Sequence, residues 1–251
     1  MKQSVLITGG TTGLGFELCK HFHRDGFQVG VCSFEPAEKF AATLPQGVLY
    51  YQADVNDTAA MKKAVDDFHS QTGRLDIVIA NAGISMHKNK IPDFERGRAV
   101  IRTNVIGVLN TFEPAIHIMK EKKSGQLVAI SSISGLTGGL PGMAIYGASK
   151  SAVYTLCESL DIDLHSFGIK VTTIAPGFVS TGLNTDKHAR PFELTPDQAG
   201  QKIYQGIRSR KSLYAFPLPL AIVSYFLKLL PRSWYRGLMK MDLLKTGSQG
   251  H

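Results

Sequence analysis

Tyr146 and Lys150 stand four residues apart in Tyr146-Gly147-Ala148-Ser149-Lys150. On a helix that spacing sets both side chains on one face. Tyrosine ordinarily titrates near about pH 10 and is a poor acid or base at neutrality. A neighbouring ammonium favours the phenolate and lowers that value, toward the range where general acid–base work is efficient. Upstream, Ser132 closes the run Ala129-Ile130-Ser131-Ser132. Its hydroxyl suits donation to a carbonyl oxygen, which it would orient and polarise. Together these groups could exchange the proton of an alcohol while a bound cofactor exchanges the hydride, which no side chain supplies.

A second set of residues offers a place for such a cofactor. Thr8-Gly9-Gly10-Thr11-Thr12-Gly13-Leu14-Gly15 follows an apolar run and precedes a helical pattern. Glycine lets the backbone approach a pyrophosphate closely, and the free N–H groups and dipole of the following helix stabilise its charge. A tight strand–helix turn without a ligand has the same local appearance.

Strand and helix alternate along the chain around these residues. Strands are expected over 2–8, 28–33, 48–53, 75–80, 126–131 and 170–175. Helices are expected over 16–25, 58–72, 146–167 and most of 95–121. The strands are apolar without period-two alternation, as in a parallel sheet covered on both faces. The expected fold is α/β: a Rossmann-type doubly wound parallel sheet with helices on both faces and a short C-terminal helical extension. Ligands in such sheets bind beyond the carboxyl ends of the strands, and every motif above falls at such an end. The 251 residues are expected to form a single domain.

The glycine spacing T-G-x-x-x-G-x-G, with Y-x-x-x-K in a chain of this length, resembles the short-chain dehydrogenase/reductase superfamily over roughly residues 4–200. The resemblance implies an NAD(P)(H)-dependent oxidoreductase that interconverts a secondary alcohol and a ketone, or an alcohol and an aldehyde. It implies Asn104, Ser132, Tyr146 and Lys150 as the catalytic set. Lys150 would also hydrogen-bond the nicotinamide ribose, and Asn104 would hold a water linking the lysine to solvent. The cofactor would lie along Thr8, Gly9, Thr11, Thr12, Gly13, Leu14 and Gly15, then Ser33 and Phe34. Asp54, on the adenine amine, and Val55 follow. Asn81-Ala82-Gly83 would flank it, and Pro176, Gly177, Val179 and Thr181 would fix the carboxamide. Ser132 lies one residue farther from Tyr146 than the family's usual spacing, which keeps Ser134 open as an alternative.

An acid at the end of the second strand would bind the 2′-hydroxyl of NAD and repel the 2′-phosphate of NADP. Ser33 stands there, small and neutral, and no arginine adjoins it; Glu35 lies within reach of a ribose. The balance leans to NADP(H) over NAD(H). A cofactor-binding protein without chemistry is the competing reading, but it would be expected to have lost Tyr146 or Lys150. An epimerase or dehydratase on a related fold is expected to be longer, with different glycine spacing.

The cysteines Cys19, Cys32 and Cys157 are too widely spaced for a metal site and read as reduced core residues. That fits a cytoplasmic setting. The N-terminal apolar run is too short for a signal peptide, and no run is long enough to span a membrane.

The formal charge of +8 is confined to one segment: residues 202–245 hold nine Lys/Arg and one acid, while the rest is neutral. Within it, residues 213–227 carry no charge, and a short helix is expected over 233–244. Two readings remain for 212–251: an apolar, basic extension at a membrane surface, or packing on its own domain or a second subunit. The basic residues interleave with bulky apolar ones and form no nucleic-acid module. A lid is expected over 183–200, with Thr195 and Pro196 opening a helix. The partners expected are a small alcohol or carbonyl compound and a homodimer or homotetramer mate. An apolar entrance would suit a fatty, steroid or isoprenoid substrate.

Overall fold

The computed structural model describes residues 2–86, 91–137, 139–180 and 192–247, with the side chains of 241–247 outside that description. Seven strands form one sheet: β1 (Ser4–Thr8), β2 (Gln28–Ser33), β3 (Leu49–Gln52), β4 (Ile77–Ala80), β5 (Gly125–Ile130), β6 (Ile169–Pro176) and β7 (Leu213–Phe216). Their order is β3-β2-β1-β4-β5-β6-β7, and every neighbouring pair is parallel. The chain reverses its direction of travel across the sheet between β1 and β4, the switch point where such sheets open a crevice.

The missing alternation in the strand sequences has a direct cause. In β1, Leu6 joins one core while Val5 and Ile7 join the other. Both faces are dry, so both phases of the pleat are apolar. The first core lies under α2 (Thr58–Thr72), α4 (Gly107–Lys122) and α5 (Ala144–Asp163), with Phe68, Phe112 and Val153 fully buried. The second lies under α1 (Gly13–Arg24) and α6 (Pro196–Arg208), through Leu18, Phe22, Ile203 and Ile207. Truncating any of these phenylalanine, leucine or isoleucine side chains to alanine would cost about 2–5 kcal/mol.

The helix over 95–121 is broken into α3 (Phe94–Ile101), a π-helical turn over Arg102–Ile106 and α4. Residues 213–216 are the last strand of the sheet, not part of an appendage. The charge-free run conceals that boundary, because its strand and the helix after Pro217 are equally apolar. The extension is therefore α7 (Leu218–Leu229) and α8 (Arg232–Gly247). Thr195 caps α6 in a capping box with Gln198, and Pro196 takes its first position, as expected. Ala199 and Gly200 are buried where α6 covers α1, so this part of the expected lid belongs to the helical layer. Residues 183–191 and Thr181 lie outside the described residues. The three cysteines are buried and free, and burial pushes each thiol up to about 12.

Candidate active site

The carboxyl ends of β1 to β6 and the first turns of α5 enclose one cavity of about 620 Å³. Of the sequence-predicted residues, Gly9, Thr11, Thr12, Gly13, Leu14, Ser33, Phe34, Asp54 and Val55 line it at one end. Asn81, Ala82, Gly83, Ser132, Tyr146, Lys150, Pro176, Gly177 and Val179 line the other. Thr8, Gly15 and Asn104 stand behind the wall and shape it.

The glycine turn is fixed by close approach. Gly9 (φ +62°) and Gly13 (φ +53°) occupy the left-handed region, which glycine enters at little cost. A Cβ on Gly15 would fall 2.1 Å from the Gly9 carbonyl oxygen, and one on Gly9 would fall 3.0 Å from Ala82 Cα. Asn81 Nδ2 donates to the carbonyls of Thr8 (3.0 Å) and Gly9 (3.1 Å), while Thr8 Oγ1 accepts from the N–H groups of Asn81 and Ala82. These bonds tie the turn to the end of β4. Thr12, at the N-cap of α1, makes no side-chain cap bond, and the first turn holds no acid. Its orphan N–H donors suit a phosphate. Gly15→Ala should weaken cofactor affinity at least tenfold, read by titrating reduced-cofactor fluorescence, because the Gly9 carbonyl must move. Unchanged affinity would show that the turn is no cradle.

At the other end, Lys150 is only 6% exposed. Its ammonium donates to the Ile130 carbonyl at 2.9 Å and lies 5.8 Å from the Tyr146 ring centre. Burial lowers the Lys150 pKa to about 8. For Tyr146, burial also dominates: it raises the phenol above its ordinary value, and the Ser132 hydroxyl pulls it back only in part. The expectation that Lys150 would make the phenol acidic is therefore not met. The lysine does occupy the same helix face, but its ammonium is held by the Ile130 carbonyl, and the cost of burying the phenolate prevails.

The three neighbouring serines separate by their bonds. Ser131 Oγ donates to the Lys150 carbonyl at 2.9 Å and fixes the helix start. Ser134 donates to Ser132 Oγ from its N–H (3.2 Å) and its hydroxyl (2.9 Å). With its lone pairs so engaged, Ser132 retains its O–H for an acceptor in the cavity. Ser134 stands behind it and is not part of the lining.

Asn104 is buried in the π-helical turn, an irregularity frequent at functional sites. Its Oδ1 accepts from the Ile84 N–H at 2.9 Å, and its Nδ2 donates to the Ile84 carbonyl (3.0 Å) and Ser149 Oγ (3.1 Å). The amide thus clamps the segment after β4 to α5.

At the end of β2, Ser33 Oγ accepts from the Glu35 N–H at 3.3 Å. Lys39 is ion-paired with the Glu35 carboxylate. Asp54 Oδ1 accepts from the N–H and the side-chain amide of Asn56, both at 2.9 Å. Asn56, Ile84, Ser85 and Thr103 also line the cavity; they lie next to motif residues or one position beyond, but their types carry no signal. No group of His, Cys, Asp and Glu fit to hold a metal occurs among the described residues.

A doubly wound parallel sheet with a glycine cradle at one end of its crevice and a serine, tyrosine and lysine at the other defines a nucleotide-dependent oxidoreductase. Comparison with known proteins agrees. The family model for short chain dehydrogenase matches residues 3–191. An uncharacterized oxidoreductase of Myxococcus xanthus is 33% identical over 237 residues, covering 91% of this chain and 93% of that one. A 3-ketodihydrosphingosine reductase of Bacteroides thetaiotaomicron is 30% identical, over 74% of this chain and 67% of that one. The solved structure of ElxO with NADP bound superposes with a TM-score of 0.77 at 25% identity, covering 86% of this chain and 97% of that one. The chain belongs to the short-chain dehydrogenase/reductase family. It is an NAD(P)-dependent enzyme.

Proposed function

We propose that this enzyme uses NADPH to reduce the carbonyl of a hydrophobic ketone or aldehyde to the alcohol, and runs the reverse reaction at alkaline pH. The observation that carries the reading is the convergence of Ser132, Tyr146 and Lys150 on one wall of the cavity whose far end is the glycine cradle. When bound, the nicotinamide supplies the hydride. The chain's own residues do the rest. Ser132 donates to the substrate oxygen and stabilises the charge that develops there. Tyr146, kept protonated by burial, delivers its phenolic proton to that oxygen. Lys150 has donors to spare beyond Ile130 and holds the ribose hydroxyls. Asn104 is a positioning residue that keeps Gly83 and Ile84 against the site.

The residues present fit the cofactor. The glycine turn and bare helix terminus suit the pyrophosphate, Asp54 and Val55 the adenine, and Pro176 to Val179 the carboxamide. The lean to NADPH rests on Ser33, which carries no charge, and on Lys39, whose ion pair with Glu35 offsets the one acid at the end of β2 that would repel a 2′-phosphate. A structural relative carrying NADP supports it. The apolar substrate is supported by the relative named as a 3-ketodihydrosphingosine reductase. It is supported also by α7, which brings exposed apolar side chains beside the turn that follows Ser132. Exposed Ile101, Leu109 and Ile162 on α3, α4 and α5 suit a homodimer or homotetramer.

Titration with the two reduced cofactors, followed by turnover of long-chain against small polar ketones, tests these points. NADPH should bind more tightly than NADH, and Lys39→Ala should narrow the gap by roughly fivefold, the ceiling for an exposed charge pair. Turnover confined to small polar ketones would refute the substrate class, and tighter NADH binding would refute the cofactor.

A further inference from the structure

The helix α7 is built the wrong way round for a helix that merely covers a domain. Its buried positions are Ala221 and Ser224, small or polar residues three apart. Leu218, Ile222, Val223, Phe226 and Leu229 are exposed, Phe226 at 68%. Amphipathic helices normally turn the bulky apolar stripe inward. An exposed patch of this kind marks an interaction surface.

The helix α8 continues the pattern. Arg232, Arg236 and Lys240 recur every four residues and form one basic stripe, while Trp234 and Leu238 form an apolar one. Trp234 is 71% exposed and is the only tryptophan in the chain. Tyr235 donates to the Gly139 carbonyl at 3.0 Å and ties α8 back to the loop after β5. Lys228 lies over the Tyr154 ring, at 5.8 Å. Among the described residues no salt bridge engages Lys228, Arg232, Arg236 or Lys240. These four belong to the segment that holds the chain's whole excess of positive charge.

We propose that the exposed face of α7 and α8 lies in the headgroup region of an anionic membrane, with the apolar side chains and Trp234 entering the acyl boundary and the basic residues meeting lipid phosphates. The combination of apolar bulk, an interfacial aromatic and unpaired cations is that of an in-plane membrane helix. Charge complementarity selects the lipid over a second copy of the chain. A two-fold interface would set this patch against itself, bringing basic residues onto basic residues with Asp242 the one acid of the segment against its nine Lys/Arg. No helix among the described residues is long and apolar enough to cross a membrane, so attachment is to one leaflet. The surface also sits at the catalytic end of the sheet: α7 packs on β7 and on the turn Ile133–Gly135 that follows Ser132. The docked enzyme would thus open toward the bilayer.

The full-length protein should be mixed with unilamellar vesicles of phosphatidylcholine, with or without about one-third phosphatidylglycerol. Trp234 reports directly: its emission should shift to the blue, and brominated acyl chains should quench it, with the anionic vesicles only. High salt should weaken binding, since interactions at an exposed charged surface are screened. Each basic residue near such a surface is worth roughly fivefold in partitioning. The combined change Lys228→Glu, Arg232→Glu, Arg236→Glu and Lys240→Glu should therefore lower binding at least about a hundredfold. A second variant, Ile222→Ser with Phe226→Ser, should also release the protein. Both variants should keep the wild-type circular dichroism spectrum and NADPH affinity, which separates lost docking from lost folding. An unshifted Trp234 spectrum with anionic vesicles would overturn the proposal. So would equal binding to neutral vesicles. So would a concentration-dependent dimer, seen by sedimentation, that Phe226→Ser dissociates while vesicles leave it unchanged.

Discussion

Tyr146→Phe should lower kcat for carbonyl reduction roughly a thousandfold, within the range lost with a general acid, and leave NADPH affinity within about twofold. The substitution removes one oxygen. The ring keeps its place over the first turn of α5, and Lys150 keeps its bond to the Ile130 carbonyl. What disappears is the proton that must reach the substrate oxygen as it gains charge. Burial holds that proton on the phenol at neutral pH, so the wild-type enzyme is charged for reduction. Its reductive rate should be nearly flat from pH 6 to 8 (windows of this width being set by the raised phenol). Alcohol oxidation needs the phenolate and should rise about tenfold per pH unit through the same interval. Single-turnover rates and cofactor titration on one preparation separate the two effects. A variant that turns over at the wild-type rate would remove Tyr146 from the chemistry. One that no longer binds NADPH would make its role structural.

The sequence disclosed what depends on spacing and hid what depends on depth. The glycine turn, the Tyr146–Lys150 pair and the alternation of elements are local patterns, and each falls where its spacing requires: at strand ends or on one helix face. Thr195 and Pro196 likewise announced α6 by capping chemistry alone. The seventh strand was not legible, because Leu213–Phe216 and α7 share one uncharged run and only pairing with β6 tells them apart. That Ser132 lines the cavity while Ser134 stands behind it, bonded to it, was not legible either, because the two share a residue type. The direction of the Tyr146 shift was hidden as well, because it depends on burial and not on spacing. An ammonium four residues away lowers a phenol's pKa only if its attraction outweighs the cost of burying the phenolate. Here the cavity wall is dry enough to disfavour both charges, and a backbone carbonyl from β5, invisible in the spacing, holds the lysine. The inverted burial of α7 was equally hidden: the run is apolar on every side, and only the fold shows which side the domain declines to cover.

Lys150 carries the conflict between stability and function furthest, and Lys150→Met should expose it. The native protein holds this ammonium at about 8, against an ordinary lysine value of 10.5. Below pH 8 the lysine is protonated in both the folded and the unfolded chain, and folding must bury the charge. Between pH 8 and about 10.5 the unfolded chain alone retains the proton, so stability rises with pH through that window and the cost is gone above it. The depression corresponds to about 3 kcal/mol. Methionine fills a similar volume without a charge and forgoes the hydrogen bond to Ile130, worth about 1 kcal/mol. The variant should therefore be more stable at pH 7 by about 2 kcal/mol, a rise in Tm of roughly 4–8 °C, and the difference should close before pH 10 and reverse, to about 1 kcal/mol against the variant, by pH 10.5. Turnover should fall at least about a hundredfold in the same protein, because the ribose hydroxyls lose their donor. Thermal melts at pH 7 and pH 10.5 decide the matter. A variant that melts earlier than wild type at pH 7 would mean that Lys150 supports the fold, and that its burial is not a strain retained for chemistry.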